Sequence, residues 1–358
     1  MSDLSERTVL TVSSKSHNYE VVIGLGVFDE VQLVKDSVIV ADSRFKAMFS
    51  KVSSEKFIFI DALEANKNLS TVENIIVELQ KCGVRSNSTV VAVGGGIIQD
   101  LMTMTASIYM RGISWVYVPT TLLGMVDSCV GGKSSINTRV VKNLIGNIYP
   151  PAKIYIDTNF LATLSEVDFL CGLAEASKIC FCKGEGEFRR FLELAQSRSA
   201  EDVSRMVGHV LTAKRWFIEV DEFDKAERKI LNFGHTFGHA LEVGSSHKVP
   251  HGLAVASGIK AAIFFEAKDR AISKIENDLF EYESKLTNGI TDLIEIGEID
   301  WPKYSMAFDA DKKHTGDEYS LLLPNHGGGV RIEKFKKSKA LLTRVLEVQT
   351  LSISGAKL

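Results

Sequence analysis

Four of the eight histidines, His235, His239, His247 and His251, lie close together in the chain. His235 and His239 stand at i and i+4 within Asn232-Phe233-Gly234-His235-Thr236-Phe237-Gly238-His239. On a helix they share one face, a spacing suited to joint metal ligation. His251 follows in Pro250-His251-Gly252, just before another helical pattern, and His247 sits in a polar Ser-Ser-His-Lys stretch that reads as an exposed loop. Core packing does not account for so dense a group of imidazoles, and metal binding does. Spacing alone favours His235 and His239 as co-ligands. Glu175 and Lys178 fall at i and i+3 on a predicted helix, which by itself is the pattern of an ordinary surface ion pair.

Two glycine-rich stretches add a second kind of chemistry. Gly94-Gly95-Gly96-Ile97-Ile98-Gln99-Asp100 follows a β-branched run and opens a helical pattern. Backbone N–H groups there can approach a pyrophosphate at the positive helix end. The stretch lacks the full G-x-G-x-x-G fingerprint, so a tight strand-to-helix turn is the plain alternative. Gly131-Gly132-Lys133-Ser134 has the look of the end of a Walker A loop, but Asp127 stands where that loop needs glycine, which excludes a P-loop NTPase. Lys133 and the nearby Lys142-Asn143 can still hold phosphate or carboxylate oxygens; an exposed loop is the alternative.

The elements that position these residues change in kind along the chain. Val38–Ala41, Phe57–Ile60, Thr89–Val93, Trp115–Val118 and Ile154–Ile156 are short β-branched or aromatic runs. Thr71–Cys82 carries apolar residues at helical spacing, and Ile97–Met110 reads as a helix. Such alternation argues for a mostly parallel sheet with helices on its faces. After about residue 160, Leu161–Ile218 and Phe237–Lys268 are dominated by helical periods. The expected organisation is an α/β Rossmann-like domain over 1–159 and a helical, all-α domain over 160–358, with ligand sites in a cleft between them. Lys334–Lys339 reads as a solvated helix face.

The formal net charge of -3 gives no global field for nucleic acid or an anionic membrane, so an anionic ligand needs a local basic cluster. The five cysteines are odd in number and form no C-x-x-C pair, which fits reduced, buried or half-buried thiols. The opening Met1–Thr11 is polar, and no apolar run approaches a bilayer span. The cytoplasm is the expected address.

Gly94–Asp100, Tyr109-Met110-Arg111-Gly112, Pro119-Thr120-Thr121-Leu122-Leu123, Asp127-Ser128, Gly131-Gly132-Lys133, Lys142-Asn143, Gly172-Leu173-Ala174-Glu175, Asn232–His239 and His251-Gly252, taken in order, resemble the 3-dehydroquinate synthase family of sugar-phosphate cyclases over roughly residues 35–330. The resemblance implies bound NAD and a catalytic divalent metal, zinc or else cobalt. It places the metal ligands on Glu175, His235 and His251, and turns His239 towards substrate phosphate instead. It implies NAD contacts from Asp42, Glu64, Lys67, Gly95, Gly96, Ile97, Asp100, Thr120, Thr121, Lys133, Lys142 and Thr163. Substrate contacts would come from Asp127, Lys133, Lys142, Asn143, Lys178, Lys214, Arg228, Asn232, His239 and one of Lys312-Lys313, with Lys313 favoured. The arginine matching Arg111 reaches a neighbouring subunit's site in the family, which implies a homodimer.

The implied substrate is a seven-carbon 2-keto acid phosphate of the shikimate pathway, 3-deoxy-D-arabino-heptulosonate 7-phosphate. Oxidation by NAD, loss of phosphate, return of the hydride, ring opening and an intramolecular aldol step regenerate NAD and make the net class a lyase. Lys214 and Arg228 favour a carboxylated substrate, since a guanidinium binds both carboxylate oxygens. Departures from the common pattern are Gln99 for glycine, Ser134-Ser135 for Thr-Ala, Asp224 for glutamate, and Leu253 where an acidic residue is typical. These leave open a divergent cyclase of the 2-epi-5-epi-valiolone or 2-deoxy-scyllo-inosose synthase type. A metal-dependent alcohol dehydrogenase on the glycerol-dehydrogenase fold would share the glycine turn and paired histidines, but would not need Lys133, Lys142, Lys178 and Arg228 together. A ligand-binding pseudoenzyme predicts a missing ligand or cation, and none is missing.

Overall fold

The computed structural model describes residues 7–33, 37–50 and 56–358; the polar opening Met1–Glu6 lies outside them. The chain forms two compact units, one of residues 1–164 with 194–224, the other of residues 165–193 with 225–358.

The first unit is built on a seven-stranded sheet. Its strands are β1 (Thr8–Val12), β2 (Tyr19–Gly24), β3 (Val38–Asp42), β4 (Lys56–Ile60), β5 (Thr89–Gly94), β6 (Ser114–Pro119) and β7 (Lys153–Asp157), in the order β1-β2-β7-β6-β5-β3-β4. All pairs are parallel except β1 with β2. The five expected strands are all present. Their continuous apolar runs suit strands covered on both faces; every residue of β3 is buried. β1 and β2 were not anticipated. β1 alternates half-buried and exposed positions, a weak signal in a five-residue stretch. The helix Leu69–Lys81 is capped by Asn68, which accepts from the Thr71 N–H at 3.0 Å, and Gly96–Ile108 follows β5 directly. Asp42, Gly94, Pro119 and Asp157 end parallel strands, where open α/β sheets place their ligand sites.

The sequence reading put 160–358 in one domain. The structure instead groups 194–224, with the helix Ala200–Val220, into the first unit. Its apolar face reads as a helical-domain element in sequence but packs against β1 and β2.

The second unit is mainly helical: Glu166–Lys183, Glu185–Leu194, His235–Gly244, His251–Ala267, Lys274–Leu286, Trp301–Asp309 and Lys339–Ile353 are its longer helices. It also carries an antiparallel hairpin, β8 (Glu318–Pro324) with β9 (Val330–Lys336). The Lys334–Lys339 run is therefore not a helix face: Lys334 and Lys336 are exposed positions on β9, and Lys339 begins a new helix capped by Ser338. Half-buried Arg331, Glu333 and Phe335 alternate with exposed Ile332, Lys334 and Lys336, a period of two that the residue types hide because the inward positions are partly charged and one outward position is apolar. His251–Ala267 is buried almost throughout. Two glycines let it approach its neighbours closely. A Cβ on Gly252 would stand 2.4 Å from Cys171 Cα, and one on Gly258 would stand 2.1 Å from the Gly234 carbonyl oxygen.

Candidate active site

In the second unit, Glu175 comes from the middle of Glu166–Lys183, His235 from the first position of its helix, and His251 from the first position of the next. Glu175 Oε1 lies 3.7 Å from His235 Nε2 and 3.5 Å from His251 Nε2. Four-coordinate zinc with bonds of about 2.1 Å holds neighbouring ligand atoms roughly 3.4 Å apart. Glu175 is 1% exposed, and its Oε1 has no hydrogen-bond partner. A buried ionised oxygen left in that state is costly unless a cation is supplied. The other oxygen, Oε2, accepts from Lys178 Nζ.

The imidazoles present their Nε2 atoms because their Nδ1 atoms are engaged elsewhere. His235 Nδ1 is 3.2 Å from the Phe233 carbonyl oxygen, and His251 Nδ1 is 2.8 Å from Glu242 Oε1. Both Nδ1–H groups donate in this arrangement, which leaves the Nε2 lone pairs for a metal. Burial works to raise the Glu175 pKa, but Lys178 and His251 outweigh it and hold it down to about 2. Burial, then Lys178, keeps His235 well below the usual histidine range. Burial works to lower His251, yet Glu175 and Glu242 push it up to about 10. A metal at Nε2 therefore displaces a proton from His251.

His239 also belongs to the cluster: ligating atoms of His235, His239 and His251 lie within 4.8 Å of one another. His239 is exposed. Beside His235 and His251 the site thus offers two further donors, the buried, unpartnered Glu175 Oε1 and the exposed His239. His247 is an exposed loop residue at φ 62°. Elsewhere in this unit Arg228 is buried, Asn232 donates to the Lys229 carbonyl at 3.0 Å, and Lys313 pairs with Asp311 at 2.6 Å.

In the first unit, several of the expected NAD and anion residues are paired in three groups. Lys67 Nζ donates to Asn143 Oδ1 at 2.7 Å and to Asp100 Oδ2 at 3.2 Å, with Glu64 Oε1 at 3.5 Å. Asp100 also accepts from the Ser135 N–H and hydroxyl at 2.9 and 3.1 Å, so Ser135, a departure from Thr-Ala, anchors it. Lys214 Nζ pairs with Asp127 Oδ1 at 2.7 Å, and Lys133 Nζ with Asp224 Oδ2 at 2.7 Å. Gln99, the other unusual residue, donates to the Ser128 carbonyl at 2.6 Å and accepts from the Ser128 hydroxyl at 2.5 Å. It thereby clamps the π-helical turn Gly124–Ser128 that carries Asp127.

Around the Gly94–Gly96 turn, the Thr120 N–H donates to the Gly94 carbonyl at 3.1 Å, and Thr121 Oγ1 accepts from the Gly124 N–H at 3.1 Å. Ile97 lies in the first turn of the helix opened by Gly96. Asp42 ends β3 and accepts from the Arg44 N–H at 3.1 Å. Thr163 lines a separate hollow with Phe45 and Asp157. Lys142 is exposed and lines a hollow of about 970 Å³ with Glu64 and Asn137. Arg111 is exposed at φ 68°, and Asn143 sits at φ 54°. Left-handed backbone at non-glycine residues costs roughly 1–3 kcal/mol and tends to mark functional positions.

Sequence reasoning missed Glu242. Its position three residues after His239 on the same helix was the available signal.

Residues 57–171 match the family model described as 3-dehydroquinate synthase N-terminal, and residues 172–314 match 3-dehydroquinate synthase C-terminal. The 3-dehydroquinate synthase of Dictyoglomus turgidum is 33% identical over 357 residues, covering 93% of this chain and 96% of that one. The chain belongs to the 3-dehydroquinate synthase family. The family member from Campylobacter concisus is 32% identical over 94% of this chain and 98% of its own. Among solved structures, the fold is similar to a 2-deoxy-scyllo-inosose synthase complexed with carbaglucose-6-phosphate, NAD+ and Co2+ (TM-score 0.81, 22% identity, 96% of this chain and 99% of that one). It is also similar to the 2-epi-5-epi-valiolone synthase of Streptomyces hygroscopicus with NAD+ and Zn2+ bound (TM-score 0.78, 22% identity, 96% and 98%). A probable glycerol dehydrogenase from Sinorhizobium meliloti is more distant, with a TM-score of 0.60, 15% identity and coverage of 92% and 96%. The family thus follows from relatives that match nearly end to end, and the solved neighbours speak to fold. No helix among the described residues is long and apolar enough to cross a membrane.

Proposed function

We propose that the protein is a 3-dehydroquinate synthase, a lyase converting 3-deoxy-D-arabino-heptulosonate 7-phosphate to 3-dehydroquinate and phosphate. The observation that carries this reading is the unpartnered, buried Glu175 Oε1 facing two Nε2 atoms in a chain of this family. Glu175, His235 and His251 would hold a divalent cation, zinc or cobalt. Asp42, Lys67, Asp100, the Gly95-Gly96 turn and Thr120-Thr121 would hold NAD. When bound, the cation acidifies substrate hydroxyls and the nicotinamide accepts and returns a hydride.

The chain's own residues bind and orient. Lys133 and Lys214 already face carboxylates in the first unit, and a substrate phosphate or carboxylate takes over such donors with charge-assisted bonds. Arg228 suits the planar carboxylate and so selects the keto acid over a neutral sugar phosphate. His239 and Lys313 are assigned to substrate phosphate. Lys178 keeps Glu175 ionised. The same reading makes the protein a cytoplasmic homodimer, with Arg111 completing the partner's site.

The test supplies purified protein, NAD and zinc or cobalt with the seven-carbon keto acid phosphate, glucose 6-phosphate or sedoheptulose 7-phosphate in parallel. Phosphate release and a carbocycle from the keto acid alone, without NADH accumulation, is the expected result. Turnover of another sugar phosphate instead contradicts the assignment, as does stoichiometric NADH. Arg228→Ala should impair use of the keto acid far more than any residual use of a sugar lacking carboxylate.

A further inference from the structure

Leu253 is buried at 3% exposure and has no oxygen to offer His251, although family resemblance leads one to expect an acidic residue there. The acceptor comes from the preceding helix. Glu242 lies on His235–Gly244, and its Oε1 stands 2.8 Å from His251 Nδ1. The opposite ring atom, Nε2, faces Glu175 Oε1. The order across the ring is thus carboxylate, imidazole, carboxylate, with only the Glu242 side at hydrogen-bond length.

We propose that Glu242 is a positioning residue for the metal centre: it accepts the Nδ1–H of His251, and so fixes the tautomer and ring angle that present Nε2 to the cation. This rests on the functional reading above. Two features support the role. His251 is the most exposed of the three proposed ligands, with its side chain 39% exposed, so packing constrains its ring least. It also lies at the first position of its helix, directly after Pro250. A carboxylate acceptor adds basicity to the ligand as well as orientation. His235 is 12% exposed and leans on a backbone carbonyl instead. The two imidazoles are therefore held by unlike devices, and only one can be removed by substitution without touching a ligand.

The test compares wild type with Glu242→Met, which keeps the volume without an acceptor, and Glu242→Gln, which keeps the acceptor. Zinc affinity is measured by competition with a chelator, and the visible absorption of the cobalt form reports ligand geometry. The account expects Glu242→Met to bind zinc about 10–100-fold more weakly with an altered cobalt spectrum, and Glu242→Gln to recover most of the affinity and the wild-type spectrum. Thermal unfolding of the metal-free proteins confirms that each variant is folded. Unchanged affinity and spectrum in Glu242→Met overturn the inference while leaving the metal site intact. A wild-type protein that binds no divalent cation overturns the functional reading itself.

Discussion

The two units prepare for charged ligands in opposite ways. In the first, three lysines expected to meet anions each face a carboxylate of their own unit: Lys67 with Asp100, Lys133 with Asp224, Lys214 with Asp127. The Lys133–Asp224 pair is half-buried, with side chains 42% and 27% exposed, and pairs open to solvent contribute about 0–1 kcal/mol. An incoming anion can displace the carboxylate at little cost. In the second unit the charge is buried. Glu175 and Lys178 are almost fully enclosed, and one carboxylate oxygen has nothing to bind. Removing one member of such a pair costs roughly 3–5 kcal/mol, so this region is committed to its ligand. On the proposed function, the half-buried Lys133–Asp224 pair would exchange its carboxylate for a passing anion, whereas the buried cluster around Glu175 would hold a resident cation.

The sharpest attempt to break this contrast is Glu175→Gln. It should abolish stoichiometric metal binding and lower turnover by about a thousandfold, since the cation supplies several kcal/mol; metal content and phosphate release check it. Gly252→Ala should come next. Its Cβ would fall 2.4 Å from Cys171 Cα, so the helix carrying His251 must move away from the one carrying Glu175. A cost of about 1–3 kcal/mol in stability is expected, with a disproportionate loss of zinc affinity.

Glu283 tests the same buried region through pH. It is fully buried beside Ser177, and burial pushes its pKa up to about 8. The folded protein therefore keeps this proton while the unfolded chain, near 4.3, has lost it, and stability falls as pH rises through that window. Glu283→Gln, which stays neutral, should gain in melting temperature over wild type at about pH 8–9 and differ little near pH 4. The smallest structural effect belongs to the first unit. Lys133→Ala should leave the melting temperature nearly unchanged yet reduce kcat/KM by roughly tenfold to a hundredfold, the worth of a charged hydrogen bond.

Much of this contrast was legible in sequence, and unevenly. The parallel strands announced themselves as apolar β-branched runs, and Gly94–Asp100 announced the turn after β5. The histidine cluster was visible by composition, but the approach of Glu175 to it was not legible from spacing. Helical spacing pointed to His235 with His239, because i,i+4 periodicity reports only neighbours on one helix. Glu175 and His251 reach the site from other helices through tertiary packing that glycines 252 and 258 permit, which no local period encodes. Gln99, Ser135 and Asp224 looked like losses from a family pattern; in three dimensions each holds a named partner. The return of 194–224 to the first unit escaped notice because an amphipathic helix does not say in sequence which core its apolar face joins.

The most direct measurement is anomalous scattering at the zinc edge from crystals of the zinc-loaded protein. The account predicts one peak within about 2.0–2.2 Å of Glu175 Oε1, His235 Nε2 and His251 Nε2. A peak bound by His239 in place of Glu175, or no peak at this cluster, would contradict it.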